Sequence, residues 1–315
     1  MHDLLGLPPE ASAHAHDIDL SIALIHIVIF VLFAGWSAFY LIALFRFRRS
    51  RNPHALYSGL KSRIPYIVVA TVAVVELTLL LGFDMPLWAR IVSDIPPEKD
   101  AVVVRIVAEQ FAWNVHYPGA DGQFGRTDIS LVSPDNPIGI DRSDPAARDD
   151  LVTINLLTLP VGKPVIVYLS SKDVIHSFSI PFFRVKQDVI PGQLFRISFT
   201  PTKTSDEIQA AMSRMYPIDS SSNVESYQTL VSMREYRDGQ GSVILGKGDP
   251  LSQDAVGSLA RAGIREVLLG PFSPIEIACA QLCGLGHYRM KATVDVVTPD
   301  QFTSWMKEQT AESAP

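Results

Sequence analysis

Two long apolar stretches near the start of the chain constrain its fold more than any other feature. The first, Leu20–Phe45, has 26 residues without Asp, Glu, Lys or Arg, and the second, Ile64–Phe83, has 20 residues with the single charge Glu76. At about 1.5 Å per helical residue, each stretch is long enough to cross the apolar core of a bilayer. We therefore predict two transmembrane helices, and the second apolar stretch stops at Asp84 and Pro86.

The charges that flank these helices predict their orientation. Residues 1–17 contain three acids and no Lys or Arg, which is unlike the basic start of a cleaved signal peptide. The segment between the helices, 46–63, contains no acid and six bases: Arg46, Arg48, Arg49, Arg51, Lys61 and Arg63. Basic loops stay in the cytoplasm, so both termini are predicted to lie outside.

The portion after the helices, Ile91–Pro315, has 20 Lys and Arg residues against 27 Asp and Glu residues, a formal balance of −7. An acidic surface excludes nucleic acid as an expected partner and favours a basic protein partner.

Short segments rich in β-branched residues, bounded by Pro, Gly and Asp, predict a small antiparallel sandwich or barrel in this portion. The predicted strands are Ala101–Ala108, Leu151–Leu157, Pro164–Ser170, Leu194–Thr200 and Lys291–Val297. Residues 119–150 are dense in Asp, Pro and Gly and predict ordered loops. Helical periodicity follows in Asp206–Met215 and again in Ala255–Leu268.

The residues that carry chemistry gather between Cys279 and Met290. Both cysteines of the chain lie here, four residues apart, with His287 four residues after Cys283 and Met290 three residues later. Soft sulfur ligands, an imidazole and a thioether favour copper over harder metals. A disulfide in an oxidising compartment and a zinc site remain alternatives, although Met is an unusual zinc ligand. His176, which follows the predicted strand 164–170, is a further candidate ligand, whereas His26 and His116 are expected to be structural.

Three segments together resemble cytochrome c oxidase subunit II: Asp173–Gly192, Phe199–Lys203 and Cys279–Met290. The resemblance implies a two-helix transmembrane hairpin followed by an all-β cupredoxin domain, a Greek-key barrel or sandwich with a partly helical insertion. It implies these boundaries: an exported segment 1–19, a hairpin 20–90 with the basic loop 46–63, a cupredoxin domain 91–204 and 275–299, an insertion 205–274 and a tail 300–315.

The resemblance also implies a dinuclear copper centre of the CuA type. Cys279 and Cys283 would bridge the two metals, and His176 and His287 would be terminal ligands. Met290 and the backbone carbonyl of Gln281 would be weak ligands, one to each copper.

The implied function is electron entry into a respiratory haem-copper oxidase of the bacterial plasma membrane. Electrons from a c-type cytochrome would pass to haem in subunit I, where oxygen is reduced to water with proton translocation. The implied partners are subunit I, other oxidase subunits and membrane lipid. No Cys-x-x-Cys-His sequence occurs, so the donor is expected to be a separate protein. A CuA-containing nitric oxide reductase subunit, or a quinol oxidase subunit II with vestigial ligands, is the alternative.

Four features depart from the family pattern. Gln281 stands where a Glu commonly binds magnesium, so a carboxylate ligand for that ion is missing. Phe111 occupies the position of the Trp that accepts the incoming electron, with Trp113 two residues later, and both are candidates unless they simply pack inside a strand.

The other two departures concern the second helix and the insertion. Lys61, Ser62 and Arg63 precede that helix where the family often has an acid, and Glu76 lies deeper. Glu76 is a candidate for a proton path or for a pairing with a neighbouring subunit. The roughly 70 residues of 205–274 are a docking module, a subunit contact or a solvated insertion.

Overall fold

The computed structural model describes residues 5–54, 57, 62–219 and 222–313. It divides into two compact units, one formed by the two apolar helices and one formed by the β-rich portion. Lys61 lies outside the described residues, as do residues 1–4 of the predicted segment 1–19 and residues 314–315 of the predicted tail 300–315.

The helical unit contains α1 (Ala15–Arg46) and α2 (Ile64–Leu79), and α2 continues through a π-helical turn, Leu80–Asp84, into α3 (Met85–Ser93). Both helical segments are long and apolar enough to cross a membrane. The helix thus continues beyond the apolar stretch, which stops at Asp84 and Pro86, and ends at Ser93. Pro86 lies in the first turn of α3, where its missing N–H is tolerated. Within this unit, Ser21 Oγ donates a hydrogen bond of 2.5 Å to Asp84 Oδ1.

The β-rich unit contains two five-stranded sheets. The strands of the first sheet are β1 (Val102–Glu109), β2 (Ala112–Tyr117), β3 (Leu151–Ile154), β5 (Val165–Ser171) and β8 (Phe195–Phe199). The strands of the second are β4 (Leu156–Pro160), β6 (His176–Ile180), β7 (Val185–Val189), β14 (Glu276–Cys279) and β15 (Lys291–Val297). The first sheet has the order β3-β2-β1-β5-β8, and the second has the order β4-β15-β14-β6-β7. Buried side chains from both sheets form one apolar core.

Four of the five predicted strands match observed strands closely, whereas the prediction of one strand over Leu151–Leu157 is wrong. Asn155 has a φ of 56° and divides this segment into β3 and β4, which belong to different sheets. Asn tolerates the left-handed conformation better than most residues. Its side-chain Oδ1 accepts a hydrogen bond from Trp113 N at 2.9 Å, which fixes the crossing point.

The insertion between β8 and β14 has its own small core. It contains α4 (Ser205–Met212), β9 (Arg214–Pro217), β10 (Leu230–Ser232), β11 (Tyr236–Arg237), β12 (Val243–Leu245), α5 (Gln253–Arg261) and β13 (Glu266–Pro271). The two helical predictions here are too long at their carboxyl ends. Gly263, at a φ of 77°, follows the end of α5, and the chain then continues as β13, the middle strand of a three-stranded sheet.

Two terminal segments complete the β-rich unit. Residues 8–13 belong to it although they precede α1. Ala11 is fully buried in the main core, and its backbone N–H donates to the Phe182 carbonyl at 3.0 Å. At the other end, α6 (Pro299–Ser313) packs Phe302 and Trp305 against Tyr117.

Candidate metal centre

Three neighbouring strands bring the candidate ligands to one end of the second sheet. His176 is the first residue of β6, Cys279 is the last residue of β14, and Met290 immediately precedes β15. Cys279 pairs with Phe178 across the β14–β6 ladder, and Cys279 N donates to the Met290 carbonyl at 3.2 Å. The loop between β14 and β15 carries the remaining candidates, and a short 3-10 turn, His287–Arg289, closes it.

The two thiols form the middle of the cluster. Cys279 Sγ lies 3.8 Å from Cys283 Sγ, a distance too long for a disulfide, and both cysteines are free and buried. Cys279 Sγ is 3.9 Å from His176 Nδ1, and Cys283 Sγ is 3.5 Å from His287 Nδ1. Both imidazoles therefore present the same ring nitrogen to a sulfur atom.

The two weaker candidates lie at the same place. Met290 Sδ is 3.6 Å from Cys283 Sγ, and the Gln281 carbonyl oxygen is 3.2 Å from Cys279 Sγ. All six predicted donors thus come together, whereas Glu76 belongs to the helical unit and is not part of this cluster. Ligand atoms of His176, Cys279 and Cys283 lie within 4.8 Å of one another, a spacing that fits metal binding.

The donor set suits copper. It combines two thiols, two imidazoles and a thioether with one carbonyl, a soft set that favours copper. Burial, and next the nearby Cys279, raise the pKa of the Cys283 thiol to about 11. A bound metal ion would lower that pKa and deprotonate the thiol, so metal binding would release a proton.

Asp173 orients His176. Its Oδ1 lies 2.8 Å from His176 Nε2, which leaves Nδ1 directed at the sulfur atoms. Burial acts to raise the pKa of Asp173, but hydrogen bonds from His176 and from the backbone N–H groups of Gln110 and Val174 outweigh it and lower that pKa. No role was predicted for Asp173 from the sequence. An acid three residues before a candidate ligand was the signal available.

The two aromatic candidates occupy different positions. Trp113 is fully buried, with its ring centroid 6.2 Å from His176 and 5.8 Å from Phe178. Phe111 is partly buried and lies against the cysteine loop, with the Arg289 guanidinium 5.8 Å from its ring centroid. His116 takes a structural position, fully buried and 2.7 Å from Asp150 Oδ2.

The sequence of this chain is similar to that of known oxidase subunits. Residues 102–209 match the family model for the periplasmic domain of cytochrome c oxidase subunit II, a match that includes His176 and ends before the cysteine loop. The alternative cytochrome c oxidase subunit 2 of Bradyrhizobium diazoefficiens is 27% identical over 279 residues, which cover 88% of this chain and 75% of that protein. The cytochrome c oxidase subunit 2 of Cereibacter sphaeroides is 27% identical over 208 residues, covering 62% of this chain and 66% of that protein.

Among solved structures, the periplasmic domain of cytochrome oxidase subunit II from Bradyrhizobium japonicum is similar. It aligns with a TM-score of 0.35 and 19% identity, covering 69% of this chain and 98% of that domain. The family match, two apolar helices and a following mostly-β domain together confirm the fold predicted from the sequence.

Proposed function

We propose that the chain is a member of the cytochrome c oxidase subunit II family and the electron-entry subunit of a respiratory haem-copper oxidase. Residues 102–209 match the family model, and 88% of the chain aligns at 27% identity with an alternative cytochrome c oxidase subunit 2. Two copper ions held by Cys279, Cys283, His176, His287, Met290 and the Gln281 carbonyl would supply one-electron redox chemistry between a donor cytochrome and haem in a partner subunit. The observation that carries this proposal is the convergence of these donors around two free, buried thiols 3.8 Å apart.

Buried side chains shield one side of this site from water. His176 is fully buried and Met290 is 1% exposed, so water is excluded from one side. Asp173 fixes the ring of His176 through its 2.8 Å contact with Nε2. Ligands that are already in place before metal binding change little between redox states, which favours rapid electron transfer.

An exposed apolar surface around the cysteine loop supports a protein partner. Leu282, Leu285 and Tyr288 have exposed fractions of 78, 98 and 79%, and they flank buried ligand candidates. Contiguous exposed apolar side chains mark interaction sites. We assign this surface to the oxygen-reducing subunit I, in which the proton-translocating chemistry would occur.

The position of residues 8–13 supports the proposed topology. These residues fold into the β-rich unit although they precede α1, and the same unit resumes at Pro96 after α3. Two membrane crossings separate these segments, so both lie on one side, and the basic loop between the helices lies on the other. We propose that the β-rich unit is periplasmic in a bacterial plasma membrane.

Oxygen uptake by the assembled complex tests the proposal. A reduced c-type cytochrome should be oxidised with matching oxygen consumption. In the Cys283→Ser variant the rate of oxygen consumption should be at least about tenfold lower. The same preparation should be offered nitric oxide in place of oxygen. Turnover of nitric oxide without oxygen consumption would favour the nitric oxide reductase alternative, and turnover with a quinol alone would favour the quinol oxidase alternative.

A further inference from the structure

The turn between β1 and β2, formed by Gln110 and Phe111, contacts both chain segments that carry the metal-site candidates. On one side, the Gln110 backbone N–H donates a 2.7 Å hydrogen bond to Asp173 Oδ2. The other carboxylate oxygen of Asp173 contacts His176 Nε2. The turn is therefore connected to His176 through a single intervening side chain.

On its other side, the turn holds the cysteine loop. The Gln110 side-chain amide donates a hydrogen bond to the Cys283 carbonyl. A Cβ at Gly284 would lie 2.6 Å from Gln110 Nε2, and a Cβ at Gly286 would overlap the Phe111 ring. The absence of a side chain at these two glycines therefore makes room for Gln110 and Phe111.

We propose that Gln110 is a positioning residue for the copper centre. It joins the segment that carries His176 to the segment that carries Cys283 and His287, and it holds the two at a fixed separation. Phe111 contributes by packing against Gly284 and Gly286. This inference rests on the proposed function, and it adds a role for residues that are not themselves ligands.

The Gln110→Met variant of the full-length chain, purified in detergent, tests the role of the side-chain amide. Methionine keeps the length of the side chain and removes the donor to Cys283. We expect two copper ions per chain, an altered copper hyperfine pattern in electron paramagnetic resonance, and copper loss to a chelator about 3- to 10-fold faster, the effect of one lost hydrogen bond.

Gln209→Met is the matched control. Gln209 Nε2 also donates to a backbone carbonyl, that of Pro271 at 2.8 Å, but it lies on α4 in the insertion. The control should retain the spectrum and the copper-release rate of the unaltered chain. Identical behaviour of the two variants would overturn the positioning role.

Gly286→Ala tests the same role from the loop side. The φ of Gly286 is −94°, which suits alanine, so any effect comes from contact with the Phe111 ring. We expect an altered hyperfine pattern here too, and an unchanged one in both Gly286→Ala and Gln110→Met would contradict the proposal. Fewer than two copper ions in the unaltered chain would instead overturn the proposed function itself.

Discussion

The thiol of Cys283 contacts three other candidate ligands. Its Sγ lies 3.8 Å from Cys279 Sγ, 3.5 Å from His287 Nδ1 and 3.6 Å from Met290 Sδ. In the proposed centre the Cys283 thiolate would contact both metals, whereas the Met290 thioether would be a weak ligand to one. Loss of the two kinds of ligand should therefore have different consequences.

We predict that Cys279→Ser or Cys283→Ser abolishes the two-copper centre and its visible absorption. Met290→Leu, which keeps the volume of the buried side chain, should retain copper with a changed reduction potential, because a weak axial ligand chiefly tunes one metal. Copper analysis and visible spectroscopy of the three purified variants provide the measurement. Equal retention of the chromophore in all three would contradict the bridging role.

The sequence was sufficient to predict which donor groups come together, because five of the six lie within the twelve residues from Cys279 to Met290. It did not predict the roles of Gln110 and Asp173. Those roles depend on the pairing of β1, β2 and β5, which places residues 63 positions apart within hydrogen-bond distance.

Among the structural elements, the insertion differs most from the family pattern. Its first helix, α4, packs against the main core, whereas the rest of the insertion has a core of its own. Ile208 of α4 is buried in the main core, and Ser205 Oγ accepts a 2.8 Å hydrogen bond from Val296 N on β15. Val296 is six residues beyond Met290, so this anchor lies roughly 20 Å along the strand from the metal centre at about 3.3 Å per residue. The remainder of the insertion packs around its own core.

Replacing residues 214–269 with a short Gly-Ser linker should therefore leave the copper spectrum unchanged and the cytochrome oxidation rate within about twofold. The linker is feasible because a Cβ at Gly270 would touch Ser213, so the two ends already meet. Stopped-flow oxidation of a reduced c-type cytochrome by the complex provides the measurement. A drop of tenfold or more with an intact copper spectrum would instead make the insertion the donor-docking module.

The apolar and β-branched pattern of the sequence predicted the position of one strand but missed the division of another. The strand Lys291–Val297 was predicted with the observed bounds, because four of its seven residues are β-branched and favour extended structure. The division at Asn155 was missed, since a single left-handed residue changes which sheet the chain joins without changing the apolar pattern.

For the whole molecule, much of the net negative charge of residues 91–315 comes from one segment. Residues 119–150 contain seven acids and three bases, a net charge of −4 out of the −7 for residues 91–315. A cleft of about 760 Å³ beside this segment is lined by bases as well as acids, and its Glu109 pairs with Lys172. The net negative charge therefore lies in the 119–150 segment rather than in this cleft.

We predict that this charge steers a basic donor cytochrome. Electron entry into the complex should slow as salt is raised from low to moderate ionic strength, because attraction beyond about 10 Å is screened at 0.1 M. The second-order rate of cytochrome oxidation across a salt series is the measurement. A flat profile would remove electrostatic steering and favour a packed interface with a dedicated or membrane-held donor.

We propose that this chain holds two copper ions in one centre that shares a single unpaired electron. The full-length chain is the proper sample, because a fragment without residues 1–90 would remove Ala11 from the core of the β-rich unit. Metal analysis with electron paramagnetic resonance on the copper-loaded, detergent-purified chain should give two copper ions per chain and one unpaired electron coupled equally to two copper nuclei. One copper per chain with coupling to a single nucleus, or zinc alone, would contradict the account.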